Sequence, residues 1–359
     1  MVRQVAEKLA SLFRDEKIQV ICILGGPYVG KTWLVNHIYR TEKNDSIRIF
    51  DNVNTYDELE EIIAKKRNGL EKYVIVGRLD EERCKAIVGS DIVVEYLMLY
   101  PMNFREFRLA VPVSYNICES KLLKLYMLVG GLPDVVKTFV QTGDINSVRQ
   151  KQCQLFEEIN SKLTAKAQNV INEVIRQELS EGTGFCIRQI DKNAREREYA
   201  KIIEELVSDG LIEKVERYAP GYDIDARKYR LKFFDIGIYS MINDLQLDKI
   251  CGRGEDWNKD LLYDFYSKEL RTYIDRKVET IKYWKKNRAK AKIHITIERL
   301  QGEKRVIAIS LIDKKKSISR SAMSFEQEYP ASRSINVCMP TLDKVTDGYE
   351  LYSKICHNT

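Results

Sequence analysis

The sequence predicts an α/β fold. A doubly wound parallel sheet leads into a helical segment that ends in a two-stranded hairpin, and a smaller α+β region follows. Three observations predict this. Short apolar, β-branched runs at 18–24, 47–51, 72–77 and 92–99 alternate with helical stretches, the pattern of parallel strands joined by crossover helices. The first run empties directly into a glycine-rich loop and then a helix. Beyond residue 146 the periodicity becomes purely helical before strands return. With 359 residues the chain has room for two or three domains, expected at 1–145, 146–245 and 246–359.

The elements follow in order. The opening MVRQVAEKLASLF reads as an amphipathic helix. Glu7 interrupts its apolar stretch and no small-residue cleavage site follows, so it is not a signal peptide. The sheet uses the four apolar runs, with helices at 32–40 and 56–67 between them. Leu155, Ile159, Leu163, Val170, Ile171, Val174 and Ile175 recur at helical spacing and mark a helical core. A further helix at 199–206 runs to Gly210, which suits a left-handed helix end. Strands at 211–215 and 228–234 then pair across the turn-rich Ala219-Pro220-Gly221. Helices followed by such a hairpin describe a winged helix, a shape that reads DNA grooves or serves as a lid or protein contact. Glu204, Glu205, Asp209 and Glu213 make the segment acidic for a DNA reader. Strands at 292–298, 305–311 and 336–339 belong to the last region.

Composition excludes several classes. The chain is 44% hydrophobic and 31% charged, far from the signature of disorder. No run of roughly 18 uncharged apolar residues exists, so no membrane span is expected. The richest stretch, DIVVEYLMLYP at 91–101, is too short and carries Glu95. Eight cysteines lie scattered without a CxxC pair, which fits reduced thiols in a cytoplasmic protein. Three histidines far apart argue against a histidine-based metal centre or triad. Net charge is +6, yet residues 271–320 alone hold 16 Lys and Arg against 5 Asp and Glu. That stretch suits a nucleic-acid or acidic partner, or else a solvated lysine-rich face. Lys285-Lys286-Asn287-Arg288 and Lys314-Lys315-Lys316 would sit at hairpin turns.

The most specific motif is Gly25-Gly26-Pro27-Tyr28-Val29-Gly30-Lys31-Thr32, a G-x-x-x-x-G-K-[ST] phosphate-binding loop of Walker A type. Glycines allow backbone N–H groups to curl around phosphates, and the following helix N-terminus adds its positive end. Lys31 would reach the β- and γ-phosphates of ATP, and Thr32 would hold Mg²⁺. The strand ending in Asp51 resembles a Walker B strand, whose acid also helps hold the ion. Asp51 as a simple cap for the helix near Tyr56 is the competing reading. Asn52 stands where ATPases commonly place the glutamate that orients the attacking water, and an amide cannot accept a proton. Asp57 or Glu58 could substitute for it.

Taken together, the motifs resemble the prokaryotic AAA-like, STAND-related P-loop ATPases. The resemblance rests on GGPYVGKT (25–32), IRIFDNVN (47–54), YVIVGR (73–78), LYPMNFREF (99–107), YMLVGGLPDVV (126–136) and KFFDIGI (232–238). It implies a P-loop NTPase sheet, ATP and Mg²⁺ as ligands, a winged helix, and often a restriction-endonuclease-like C-terminal domain. Three departures stand out. Only 18 residues separate Thr32 from Asp51, too few for the family's extra strand and helix. Asn52 replaces the family's glutamate, and Arg78 replaces a small polar residue. In the C-terminal domain Tyr263, His294 and Ala308-Ile309-Ser310 fall where the family's metal-binding acids and lysine belong. The implied domain is therefore a degenerate one. Asp313 with Lys315 offers a D-x-K under another register.

An ATP-binding ATPase or nucleotide-dependent switch with weak hydrolysis is the function expected. A nucleic-acid-binding winged-helix protein with a vestigial loop is the alternative.

Overall fold

The computed structural model describes residues 3–42, 46–66, 71–178, 184–192, 195–219, 228–251, 256–286, 290–300, 305–312 and 319–357. Four strands, β1 (Val20–Leu24), β2 (Ile47–Val53), β3 (Lys72–Gly77) and β4 (Val94–Met98), form an all-parallel sheet in the order β2-β3-β1-β4. Every residue of β1 is buried, because helices cover both faces of the sheet. The connections are α2 (Lys31–Glu42), α3 (Tyr56–Lys66) and α4 (Glu81–Val88), and α1 (Val5–Arg14) packs Leu9 and Phe13 inward beside α2. With β3 inserted between them, β1 and β2 are not neighbours.

Helices α5 (Phe104–Ala110), α6 (Glu119–Val129), α7 (Pro133–Thr142), α8 (Ile145–Asn160) and α9 (Ala165–Gln177) follow. The helical stretch beyond 146 breaks at Thr164, whose hydroxyl caps α9 by accepting from Ala167 N. Next come α10 (Glu196–Ser208) and an antiparallel hairpin of β5 (Ile212–Glu216) and β6 (Tyr229–Phe233). Gly210 adopts the expected left-handed conformation at φ +67°. Pro220 and Gly221 of the expected turn lie outside the described residues.

After α11 (Ile236–Ile242) and α12 (Leu247–Ile250) comes the last region: α13 (Lys259–Arg271), β7 (Glu279–Lys285), β8 (Lys292–Arg299), β9 (Val306–Ile312), α14 (Arg320–Glu328), β10 (Arg333–Cys338) and α15 (Gly348–His357). Its sheet runs β10-β9-β8-β7, antiparallel except for the β9–β10 pair. Strand β7 was not expected from the sequence; its Glu279, Tyr283 and Trp284 are buried.

One apolar cluster runs from Leu9 to Ile355, so the three stretches share a core. Buried polar groups stitch them. Asp235 accepts from Gly131 N at 2.9 Å and caps α11 through Ile238 N at 2.9 Å. Glu269 on α13 accepts from Phe104 N at the start of α5 at 2.7 Å. Asp264 of α13 sits between Lys232 (3.0 Å) and Lys268, and Lys268 reaches Glu178 at 2.6 Å. All eight cysteines are free, and no helix among the described residues is long and apolar enough to cross a membrane.

Burial lifts the Glu269 carboxyl to about 8. A carboxyl raised in the folded state favours folding fully below its unfolded value, near 4.3, and loses that contribution as pH rises to about 8. Urea unfolding at a series of pH values should show stability falling across this window. Glu269→Gln should flatten the fall; an unchanged slope would remove Glu269 as its source.

Candidate functional site

The loop between β1 and α2 lines a cavity of about 540 Å³. Its conformation depends on glycine: Gly25 has φ +144°, and a Cβ there would meet Leu99 O at 2.1 Å. Tyr28 takes φ +59° in the same loop and donates its hydroxyl to Glu158 of α8 at 2.7 Å. Val29 is buried beneath, and its carbonyl accepts from the buried Arg3 guanidinium at 3.0 Å. Arg3 also reaches Tyr100 O and pairs with Glu106, so the segment leading into α1 clamps the loop to α5. Glu106 in turn closes a capping box with Asn103 at the start of α5.

Of the expected loop residues, Gly25 and Gly26 form the back of the loop, and Pro27, Tyr28, Gly30, Lys31 and Thr32 line the cavity. The Lys31 ammonium donates to Gly25 O at 2.8 Å and Gly26 O at 2.6 Å, so it lies folded across the loop. Burial, with the Arg78 charge adding to it, pulls Lys31 down to about 8. A polyanion in the cavity would relieve both effects.

The Thr32 hydroxyl donates to Asp51 Oδ1 at 3.1 Å. That contact joins the two expected ion ligands although β2, which carries Asp51, is not adjacent to β1, which leads into the helix of Thr32. It also answers the capping alternative for Asp51. The α3 N-terminus is capped instead by Thr55 and Glu58, which bond each other's backbone N–H groups at 3.3 and 3.2 Å. Asn52 lines the cavity beside Asp51, on a bulge of β2 at φ +62°. Asp57 is not part of the cavity wall. Glu58 is held by the N–H groups of Asn54 and Thr55, which keep its carboxyl below its usual range.

Sequence reasoning missed much of the wall. Asp134 and Lys137 come from α7, Ile159 and Lys162 from α8 and its exit, and Asp209 and Leu211 from the α10–β5 turn. The GGLPDVV motif contains Pro133 and Asp134 of this wall, though the sequence assigned neither a role. Gly210 of that turn touches the loop: a Cβ on Gly26 would meet Gly210 O at 2.7 Å. Nearby, Tyr56 and Ser208 share a hydroxyl contact at 3.2 Å.

Two further expected regions have a place. Six of the described basic residues of 271–320 pair with acids. Arg271 pairs with Glu213, Arg276 with Glu81 (3.4 Å), Lys277 with Glu95 (3.8 Å), Lys282 with Glu298 (2.7 Å), Lys286 with Glu328 (4.0 Å) and Arg299 with Glu279 (3.1 Å). Residues 287–289 and 314–316 of its lysine-rich clusters lie outside the described residues. Tyr263 and His294 meet as a flat stack, centroids 4.2 Å apart and planes 2° from parallel. The Tyr263 hydroxyl accepts from Leu311 N at 2.9 Å, and burial beside Lys292 holds His294 neutral. No group of three or more His, Cys, Asp or Glu positioned for a metal occurs among the described residues, which exclude Asp313 and Lys315.

No family model matches the sequence, and no curated protein does. Solved structures give distant similarities. A Walker-type ATPase of Pyrococcus abyssi is similar over 67% of this chain and 95% of its own, at 9% identity and a TM-score of 0.44. Cdc6p from Pyrobaculum aerophilum is similar over 68% and 94%, at 12% identity and a TM-score of 0.29.

Proposed function

We propose that this chain binds ATP with Mg²⁺ at Gly25–Thr32 and acts as a slowly hydrolysing nucleotide switch. The observation that carries the reading is the Thr32–Asp51 contact beside Lys31 at the mouth of α2. Backbone N–H groups in the first turn of a helix have no partner within it, so α2 presents free donors to a phosphate. Lys31 supplies a partly desolvated cation. Thr32 and Asp51 offer two adjacent oxygens, a donor set that suits Mg²⁺, which prefers few protein ligands and phosphate oxygens for the rest. The ion would offset phosphate charge there. In this reading 146–245 acts as a winged helix that answers the nucleotide, supported by the α9, α10 and β5–β6 succession.

Titration calorimetry with Mg²⁺-ATP checks the binding. Wild type should bind at sub-millimolar concentration and Lys31→Ala at least about tenfold more weakly, the order expected for a lost charged hydrogen bond. Equal affinity for both, or none for wild type, would overturn it.

Hydrolysis should be slow because no carboxylate occupies the place of Asn52. General-base help is worth about 10²–10⁴-fold in rate. Turnover below about 1 s⁻¹ is expected in a steady-state phosphate-release assay. Asn52→Glu should raise it about tenfold or more with affinity unchanged. Wild-type turnover above that rate sinks the switch reading.

The order α13, β7, β8, β9, α14, β10 supports reading 246–359 as a nuclease-like sheet. Its usual acids give way to the Tyr263–His294 stack, so no phosphodiester cleavage is expected. Plasmid DNA incubated with Mg²⁺ or Mn²⁺ should stay supercoiled. Nicking abolished by Asp313→Ala would place the acids in another register. The alternative function, nucleic-acid binding with an idle loop, has less support, because Arg271, Arg276, Lys277, Lys282, Lys286 and Arg299 already pair with acids.

A further inference from the structure

We propose that Trp33 is the platform on which the nucleobase stacks, and that it makes the cavity prefer purine over pyrimidine nucleotides. The inference rests on the nucleotide-binding reading above. The case begins with an aromatic side chain that the core does not use. Leu34, Val35 and Ile38 are the residues that α2 buries. Trp33 lies off that face and is 46% exposed, whereas the other two tryptophans, Trp257 and Trp284, are 3% and 1% exposed. It nevertheless lines the cavity, directly after Thr32 in the chain. A large ring at a cavity mouth, half in water, offers a flat apolar surface to a ligand.

The helix sets where this ring falls along a bound nucleotide. Trp33 is the third residue of α2, so its N–H is one of the first-turn donors without a partner inside the helix. Lys31, Thr32 and Asp51 would take the phosphates that carry the ion. The nucleoside, at the other end of the phosphate chain, lies toward the mouth, where Trp33 stands. The ring is also held ready. It stacks on His37, one turn further along α2, with centroids 5.0 Å apart and planes 8° from parallel. That contact fixes the plane of the indole, so little side-chain freedom remains to be lost when a base settles on it. The other aromatic of the wall, Tyr28, is packed against the core and tied to Glu158. Stacking follows ring area and is indifferent to base edges, so a purine gains more than a pyrimidine, and adenine and guanine gain alike.

Inorganic tripolyphosphate carries the phosphates without a base, so the two contributions separate in one experiment. ATP, GTP, CTP and tripolyphosphate, each with Mg²⁺, are titrated calorimetrically into wild type, Trp33→Leu and Trp33→Phe, with thermal unfolding of each variant as a check on folding. Wild type should bind ATP and GTP about equally, and both more tightly than CTP or tripolyphosphate. Trp33→Leu should lose about tenfold or more in ATP affinity, as expected for one stacked base, and nothing in tripolyphosphate affinity. Trp33→Phe should keep part of the difference. A second readout needs no variant: with the other two tryptophans buried, acrylamide quenching of the intrinsic fluorescence reports Trp33, and ATP should shield it where tripolyphosphate does not. Equal losses for ATP and tripolyphosphate would show that Trp33 only shapes the loop, and unchanged ATP affinity would show that the base lies elsewhere. CTP bound as tightly as ATP would remove the purine preference. Each of these overturns the proposal while phosphate binding stands. A wild type that binds neither ATP nor tripolyphosphate removes the binding reading and this inference with it.

Discussion

A buried carboxylate, Asp235, is the contact on which the assembly turns. It satisfies the N–H of Gly131, where α6 gives way to α7, and the first free N–H groups of α11. Burial raises its pKa, so the fold keeps this acid only because those donors meet it. Without it two buried donors would be orphaned at one junction, at roughly 1–3 kcal/mol each. The geometry that follows shapes the cavity. The α6–α7 junction sets where Pro133 and Asp134 enter the cavity, and α11 packs on α6 and α8 behind it.

The same logic explains which parts of the site were legible in the sequence. The glycine-rich loop, its strand and its helix are local, and their order is readable from spacing alone. LYPMNFREF and KFFDIGI were recognisable as motifs, but their purpose was not. Glu106 and Asp235 prove to be architectural, one clamping α1 to α5 and the other joining α11 to the α6–α7 turn. Contacts such as Tyr28 with Glu158, 130 residues apart, leave no trace in spacing or periodicity. Nor did the bulge at Asn52 announce itself, although asparagine tolerates the left-handed region better than most residues. Strand β7 was obscured because its buried residues, 279, 283 and 284, do not fall at alternate positions.

Charge tells a similar story. Read along the chain, 271–320 looks like a surface waiting for an anion. In three dimensions its first basic residues close seams: Arg271 meets Glu213 on β5, and Arg276 and Lys277 meet Glu81 and Glu95 of the parallel-sheet region. Exposed pairs of this kind are worth little individually, about 0–1 kcal/mol. Their value lies in register, since each fixes where one region lands on another.

The close approach of Gly26 and Gly210 has a mechanical meaning. Two backbones meet there with no side chain between them, and packed protein interiors hardly compress. Such a contact behaves as a hard stop. A phosphate loop that shifts outward by a fraction of an ångström cannot absorb the movement in rotamers and must push the α10–β5 turn. That turn leads directly into β5, which is paired with β6 along its length. The two glycines thus tie the loop after β1 stiffly to the α10–β5 turn.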